Sequence, residues 1–120
     1  MKKRKINIIL ITSDKKEEYK LLGEYNSEKN IISYQESGDL LTEVVLDLNQ
    51  NILIRENKDY YLQYKFIENE ETENEMKLKD LNQSIKLKIK TEKFNVTNNK
   101  IEIIYTLLDS NETINYQIQY

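Results

Sequence analysis

Which side chains of this chain could do chemistry? Histidine and cysteine are both absent. Their absence removes Ser-His-Asp and Cys-His arrangements, zinc-thiolate sites and disulfides. Tyrosine, carboxylates, arginine and lysine remain, and three groups of them stand out.

The first group is Glu36 with Arg55. Glu36 shares parity with Ile32 and Tyr34, so on a pleated strand it points the same way as those apolar residues. Arg55 shares parity with Leu53 and falls off a face read as Ile52 and Ile54. The two are therefore expected on different faces unless a bulge re-aims one. If both reach one end of the fold, they grip the polar end of a ligand or close that end as an ion pair. A carboxylate pair for glycoside chemistry needs a second acid facing the first, and none is singled out.

The second group is tyrosine. Tyr25, Tyr34, Tyr60, Tyr64, Tyr105 and Tyr116 fall mostly on the apolar parity of their segments. A cavity lined by phenols suits an amphipathic ligand, offering ring faces and hydroxyl partners. Tyr34, Glu36, Arg55, Tyr64 and Tyr105 are the candidate ligand-binding set.

The third group is lysine. In "SIKLKIKTEKF", Ser84 to Phe94, Ile85, Leu87 and Ile89 alternate with Lys86, Lys88 and Lys90. A hairpin through 80–84 would set Lys77 and Lys79 beside them as a two-strand basic patch for an anionic partner. The other reading is a plain exterior. Like charges about 5 Å apart in water repel by only ~0.8 kcal/mol, and Glu92 or Glu102 could relieve that. The tyrosines sit on the opposite parity, and the net charge is −3. Both argue against nucleic acid. No motif calls for a cofactor or a metal; the acidic run Glu68 to Glu75 lacks the spacing and glycine of a calcium loop and reads as a solvated connection. Nothing here marks an enzyme.

The elements that position these groups are strands. A chain of 120 residues is the size of one domain and can bury a core without staples. Apolar residues recur with period two almost throughout: Ile6, Ile8 and Leu10; Val44, Leu46 and Leu48; Leu62, Tyr64 and Phe66; Ile101, Ile103 and Tyr105; Ile114, Tyr116 and Ile118. Turn signals separate them at 26–30, 37–39, 49–51, 57–59, 97–99 and 109–111. Asparagine takes turn positions where glycine often sits, because it tolerates the left-handed region. The bias toward Ile, Asn, Lys and Tyr reads as that of an AT-rich bacterial genome. No segment shows helical periodicity.

Successive hairpins with one apolar face close most economically as an antiparallel, mostly meander β-barrel, here of eight to ten strands. Its inward residues are large, with only Gly23 and Thr42 small among them, which argues for a filled interior. The opening "MKKRKINIILITSDKK" imitates a secretory signal, yet its apolar run is short and no cleavage site follows. It is too short to span a bilayer, so a first strand and a cytoplasmic protein are expected. The sequons at Asn82, Asn95 and Asn111 are then incidental.

The order of "GEY" at Gly23 to Tyr25, "ISYQES" at Ile32 to Ser37, "TEVVLDLNQNILIRE" at Thr42 to Glu56 and "IEIIYTL" at Ile101 to Leu107 resembles the YwiB-like family of small bacterial proteins. A glycine that family would place after the arginine is replaced by Asn57 and Lys58. The resemblance implies a calycin-type, lipocalin-like barrel and no activity. Two functions follow as expectations: a non-enzymatic barrel taking a small apolar or amphipathic ligand at its mouth, or a structural or protein-interaction barrel with a filled interior that acts through its outside, a homodimer being one form.

Overall fold

The alternation read above places one residue in two on an inner surface, and ten strands build that surface. The computed structural model describes residues 3–36 and 41–120. The turn expected at 37–39, and the end of the "ISYQES" motif, lie outside the described residues. The strands are β1 (Lys3–Ile11), β2 (Lys16–Asn26), β3 (Ile31–Gln35), β4 (Glu43–Asp47), β5 (Ile52–Glu56), β6 (Tyr60–Lys65), β7 (Glu71–Leu78), β8 (Gln83–Thr97), β9 (Lys100–Leu107) and β10 (Glu112–Gln119). Each pairs antiparallel with the next, and β1 closes the circle against β10 with Ile8 opposite Ile118 and Leu10 opposite Tyr116. The fold is an all-β, closed, ten-stranded meander barrel. Closure leaves no strand edge unpaired, and no helix occurs among the described residues.

Inward rows follow the sequence parity. Ile6, Ile32, Val44, Leu46, Phe66, Ile101, Ile103 and Ile118 are buried almost completely. Directly opposed residues of an antiparallel ladder share a face, so the rows continue round the barrel: Tyr34 faces Val44, Val44 faces Arg55, and Arg55 faces Leu62. Gly23 sits in such a row, opposite Tyr34. A Cβ there would come within 2.3 Å of Ile6 Cδ1 and 2.7 Å of the Ser33 carbonyl oxygen. Only the missing side chain lets β1, β2 and β3 approach so closely.

Turn chemistry matches the composition. Every described non-glycine residue with positive φ is an asparagine: Asn30, Asn51, Asn69, Asn82, Asn98, Asn99 and Asn111. Asn57 is not one of them. Its side chain holds the β5–β6 turn instead, Oδ1 accepting the Asp59 and Tyr60 amides at 2.8 and 3.1 Å.

One expectation is corrected. The acidic stretch Glu68 to Glu75 is not a loop throughout, because β7 begins at Glu71. Its inward positions are Thr72 and Asn74, which are polar, so no apolar alternation betrays the strand. Asn74 is nonetheless buried and satisfied: Oδ1 accepts the Lys65 amide at 2.8 Å. The Glu68–Glu70 segment is also structural. Its backbone bonds both sides of Thr91, and Glu68 Oε2 accepts the Phe94 amide at 3.1 Å.

The inward parity of β8 changes in mid-strand. The ladder to β9 slips between Thr91 and Lys93. Ile89 and Thr91 face inward on odd positions, and after the bulge Phe94 faces inward on an even one, opposite Ile103. Without that extra residue Phe94 would share the lysine face.

Candidate functional site

The interior is not filled from end to end. Around Phe66 it is: the Phe66 ring lies 5.3 Å from Tyr105, 5.9 Å from Phe94 and 6.2 Å from Tyr64. Tyr25 and Tyr120 meet at 5.0 Å near the same end, with the Arg4 guanidinium 5.3 Å from the Tyr25 ring. The other end opens into a cavity of about 640 Å³. The expectation of a filled barrel is thus corrected for that half. Large residues line that half too, Tyr34, Tyr105 and Tyr116 among them, but a ten-stranded circumference exceeds what they fill.

Aliphatic side chains of β1, β5, β6 and β10 line the cavity, among them Ile8, Leu10, Leu53 and Ile114. Tyr34, Tyr64, Tyr105 and Tyr116 add ring surface. The Tyr34 and Tyr116 hydroxyls hydrogen-bond to each other. Burial raises the pKa of both, and of Tyr64 and Tyr105, above the ordinary phenol value. These phenols stay protonated near neutral pH and are no candidates for general bases or nucleophiles there.

Glu17, Glu18, Lys20 and Gln35 add polar lining, and one ion pair completes it. Arg55 Nη1 donates to Glu36 Oε2 at 2.9 Å and Nη2 to Oε1 at 2.7 Å, the two-pronged geometry of a guanidinium on a carboxylate. Burial works against the Arg55 charge, but the Glu36 hydrogen bonds and the attraction of that carboxylate outweigh it, with help from Tyr60. The guanidinium is held above its usual pKa. The expected opposition of faces is overturned, and no bulge is involved. On β5 the inward residues are Leu53 and Arg55, while Ile52 and Ile54 are only partly buried. Both parities of β5 carry large aliphatic residues, so periodicity could not choose between them. The neighbours decide: Leu53 lies opposite Leu46 and Tyr64.

A short network holds the pair in place. The Glu36 amide donates to the Thr42 carbonyl oxygen at 2.9 Å, and Asn57 Nδ2 donates to Thr42 Oγ1 at 3.0 Å. Thr42 and Asn57 are both buried. Neither was a candidate from sequence, although the position of each, flanking a strand end beside Glu36 or Arg55, was a usable signal. All five ligand-binding candidates line the one cavity. Tyr116 and Leu53 belong with them and were not singled out for the site.

The lysines lie elsewhere. Lys86, Lys88 and Lys90 stand opposite Glu75, Glu73 and Glu71 across the β7–β8 ladder, and Lys77 stands opposite Ser84. Lys86 also reaches Glu73 at 3.4 Å, and Lys79 pairs with Glu56 at 2.9 Å. The two-strand basic patch becomes a ladder of alternating charge, because the strand partner of the lysine row is the acidic stretch read as a loop. Glu92 and Glu102 do not serve these lysines; Glu102 pairs with Lys93 at 2.7 Å. Among the described residues no group of three or more acidic side chains is placed to hold a metal ion, and no helix is long and apolar enough to cross a membrane.

Against known proteins, no family model and no curated protein matches the chain. Among solved structures it is similar to the ywiB protein of Bacillus subtilis, at 16% sequence identity and a TM-score of 0.65, over 98% of this chain and 89% of that one. The likeness supports a YwiB-like fold and says nothing of activity.

Proposed function

We propose that this barrel is a non-enzymatic binding module, of calycin-like type, that takes one small amphipathic ligand at its open end. The observation that carries the reading is the cavity of about 640 Å³, lined by aliphatic and aromatic side chains together with the Arg55–Glu36 pair and with Glu17, Glu18, Lys20 and Gln35. Its volume falls within the ordinary range of small-molecule sites, roughly 300–1,000 Å³. Apolar lining alongside a group of polar and charged residues favours a ligand with an apolar body and one polar end. The phenols are kept neutral, so the wall offers contact rather than reactivity. Under this reading the chain is a single domain working in the cytoplasm, with no cofactor.

Native mass spectrometry of the freshly purified protein tests the proposal, followed by thermal unfolding with and without the species released on denaturation. A bound small molecule that raises the midpoint when added back is the expected result. Protein that carries nothing, and whose midpoint shifts with no amphipathic compound, would remove the reading. The same spectrum gives the subunit number and so tests the homodimer alternative.

A further inference from the structure

Arg55 and Glu36 contribute unequally to their pair. Arg55 lies within β5, in register with Val44 on one side and Leu62 on the other. Its side chain is 26% exposed, and it stands among Leu62, Tyr64 and the other lining residues of the cavity. Glu36 lies one residue beyond β3, is tied by its amide to Thr42, and has a side chain 35% exposed. Swinging the Glu36 carboxylate out requires rotation about its own side-chain bonds and returns a charge to water. Swinging Arg55 away would pull a guanidinium from its row and leave a carboxylate unpaired against the cavity wall. If one partner yields to a ligand, it is Glu36, and what it leaves behind is a positive, fork-shaped site.

Building on the binding role proposed above, we infer that the ligand is a monocarboxylate with an apolar body, and that its carboxylate takes the place on Arg55 that Glu36 holds in the empty barrel. The pair itself displays the required geometry: two carboxylate oxygens on two guanidinium nitrogens at 2.9 and 2.7 Å. Arginine is suited to that bidentate grip, which a hydroxyl or a single amide oxygen cannot reproduce. The apolar body then lies along Leu53, Leu62 and Tyr64 toward Tyr105, all of which line the same cavity. Glu36 acts as an internal stand-in for the ligand. It keeps the guanidinium paired when no ligand is bound, avoiding the cost of leaving a largely buried charge without a partner. It also sets a threshold, because an incoming carboxylate must compete with it. A cationic ligand meets Glu17 and Glu18 on the same lining but gains Glu36 only by evicting the more deeply held partner, and a neutral one gains nothing from the guanidinium.

Isothermal titration calorimetry with octanoate, 1-octanol and octylamine tests this, since the three share an apolar body and differ in their polar end. Octanoate is expected to bind at least about tenfold more tightly than 1-octanol to the unaltered protein, a comparison that needs no variant. Glu36→Gln weakens the incumbent without emptying its place, so it should raise octanoate affinity by about tenfold and leave 1-octanol unchanged. Arg55→Gln should abolish the preference for octanoate over 1-octanol. Octanoate binding no tighter than 1-octanol, a preference for octylamine, or unchanged or weaker octanoate binding in Glu36→Gln would each overturn the inference while leaving an amphipathic ligand in place. Failure of all three probes to bind would remove the binding role along with it.

Discussion

Glu36 and Arg55 are bonded twice although their strands are not neighbours. β4 lies between β3 and β5, and Val44 separates the two rows on the inner face. The arginine therefore reaches across a strand to meet the carboxylate. Each residue is about one-quarter to one-third exposed, so solvent screens the pair and its contribution is modest. A double-mutant cycle with Glu36→Gln and Arg55→Gln, read by urea denaturation, should give a coupling of about 0.5–2 kcal/mol. A coupling indistinguishable from zero would show that the two side chains do not meet in solution.

Gly23 makes a sharper case, because one of its close neighbours is backbone. Gly23→Ala is expected to destabilise the barrel by about 1–3 kcal/mol, the usual cost of overpacking. Ile6→Val in the same chain removes the offending Cδ1 but leaves the Ser33 carbonyl oxygen 2.7 Å from the new methyl. The double variant should therefore recover only part of the loss, apart from what Ile6→Val costs alone. Full recovery would mean that the Ser33 backbone yields.

The legibility of this fold differs from strand to strand, and the difference has a physical cause. β1, β4, β9 and β10 each keep an unbroken apolar row on one parity against a row that contains polar residues, so their inner faces can be read directly, and Ile6, Val44, Ile103 and Tyr116 are all buried as their parity requires. β5 carries isoleucine and leucine on both faces, and only its neighbours' register reveals that Arg55 points inward. β7 puts Thr72 and Asn74 inward and hides its alternation. The β8 bulge at Glu92 changes parity in mid-strand, which no periodicity taken from one end can foresee. The site was legible as residue types, with Glu36, Arg55 and three tyrosines. Its assembly was not, because it depends on the face of β5 and on how far ten strands open a barrel.

Alkaline pH should unfold this barrel through its phenols. Burial holds Tyr34, Tyr64, Tyr105 and Tyr116 above the ordinary value of 10.0. Below about pH 9 these groups are protonated in folded and unfolded chains alike and add no pH dependence. As pH rises through 10 the unfolded chain releases its protons first, so it binds fewer than the folded one and stability falls. Each such phenol steepens the decline by up to about 1.4 kcal/mol per pH unit. Urea midpoints at pH 8, 9, 10 and 11 measure the decline, and the 295 nm absorbance of the buried tyrosinates should appear together with unfolding. Full tyrosinate absorbance in a chain whose near-UV circular dichroism is intact would contradict it.

Among those phenols, the hydroxyls of Tyr34 and Tyr116 satisfy each other across the interior. Removing one leaves its partner buried and unpaired, and an orphaned polar group costs about 1–3 kcal/mol. Tyr34→Phe and Tyr116→Phe should each destabilise the barrel by that amount. Replacing both removes the orphan and leaves two rings of unchanged shape, so the double variant should be more stable than the sum of its singles by at least about 1 kcal/mol. Both rings line the cavity, so the double variant should also keep its affinity for a hydrocarbon-bodied ligand held at Arg55. Strictly additive losses would mean that each hydroxyl finds water on its own and that the open half of the barrel is wetter than its lining suggests.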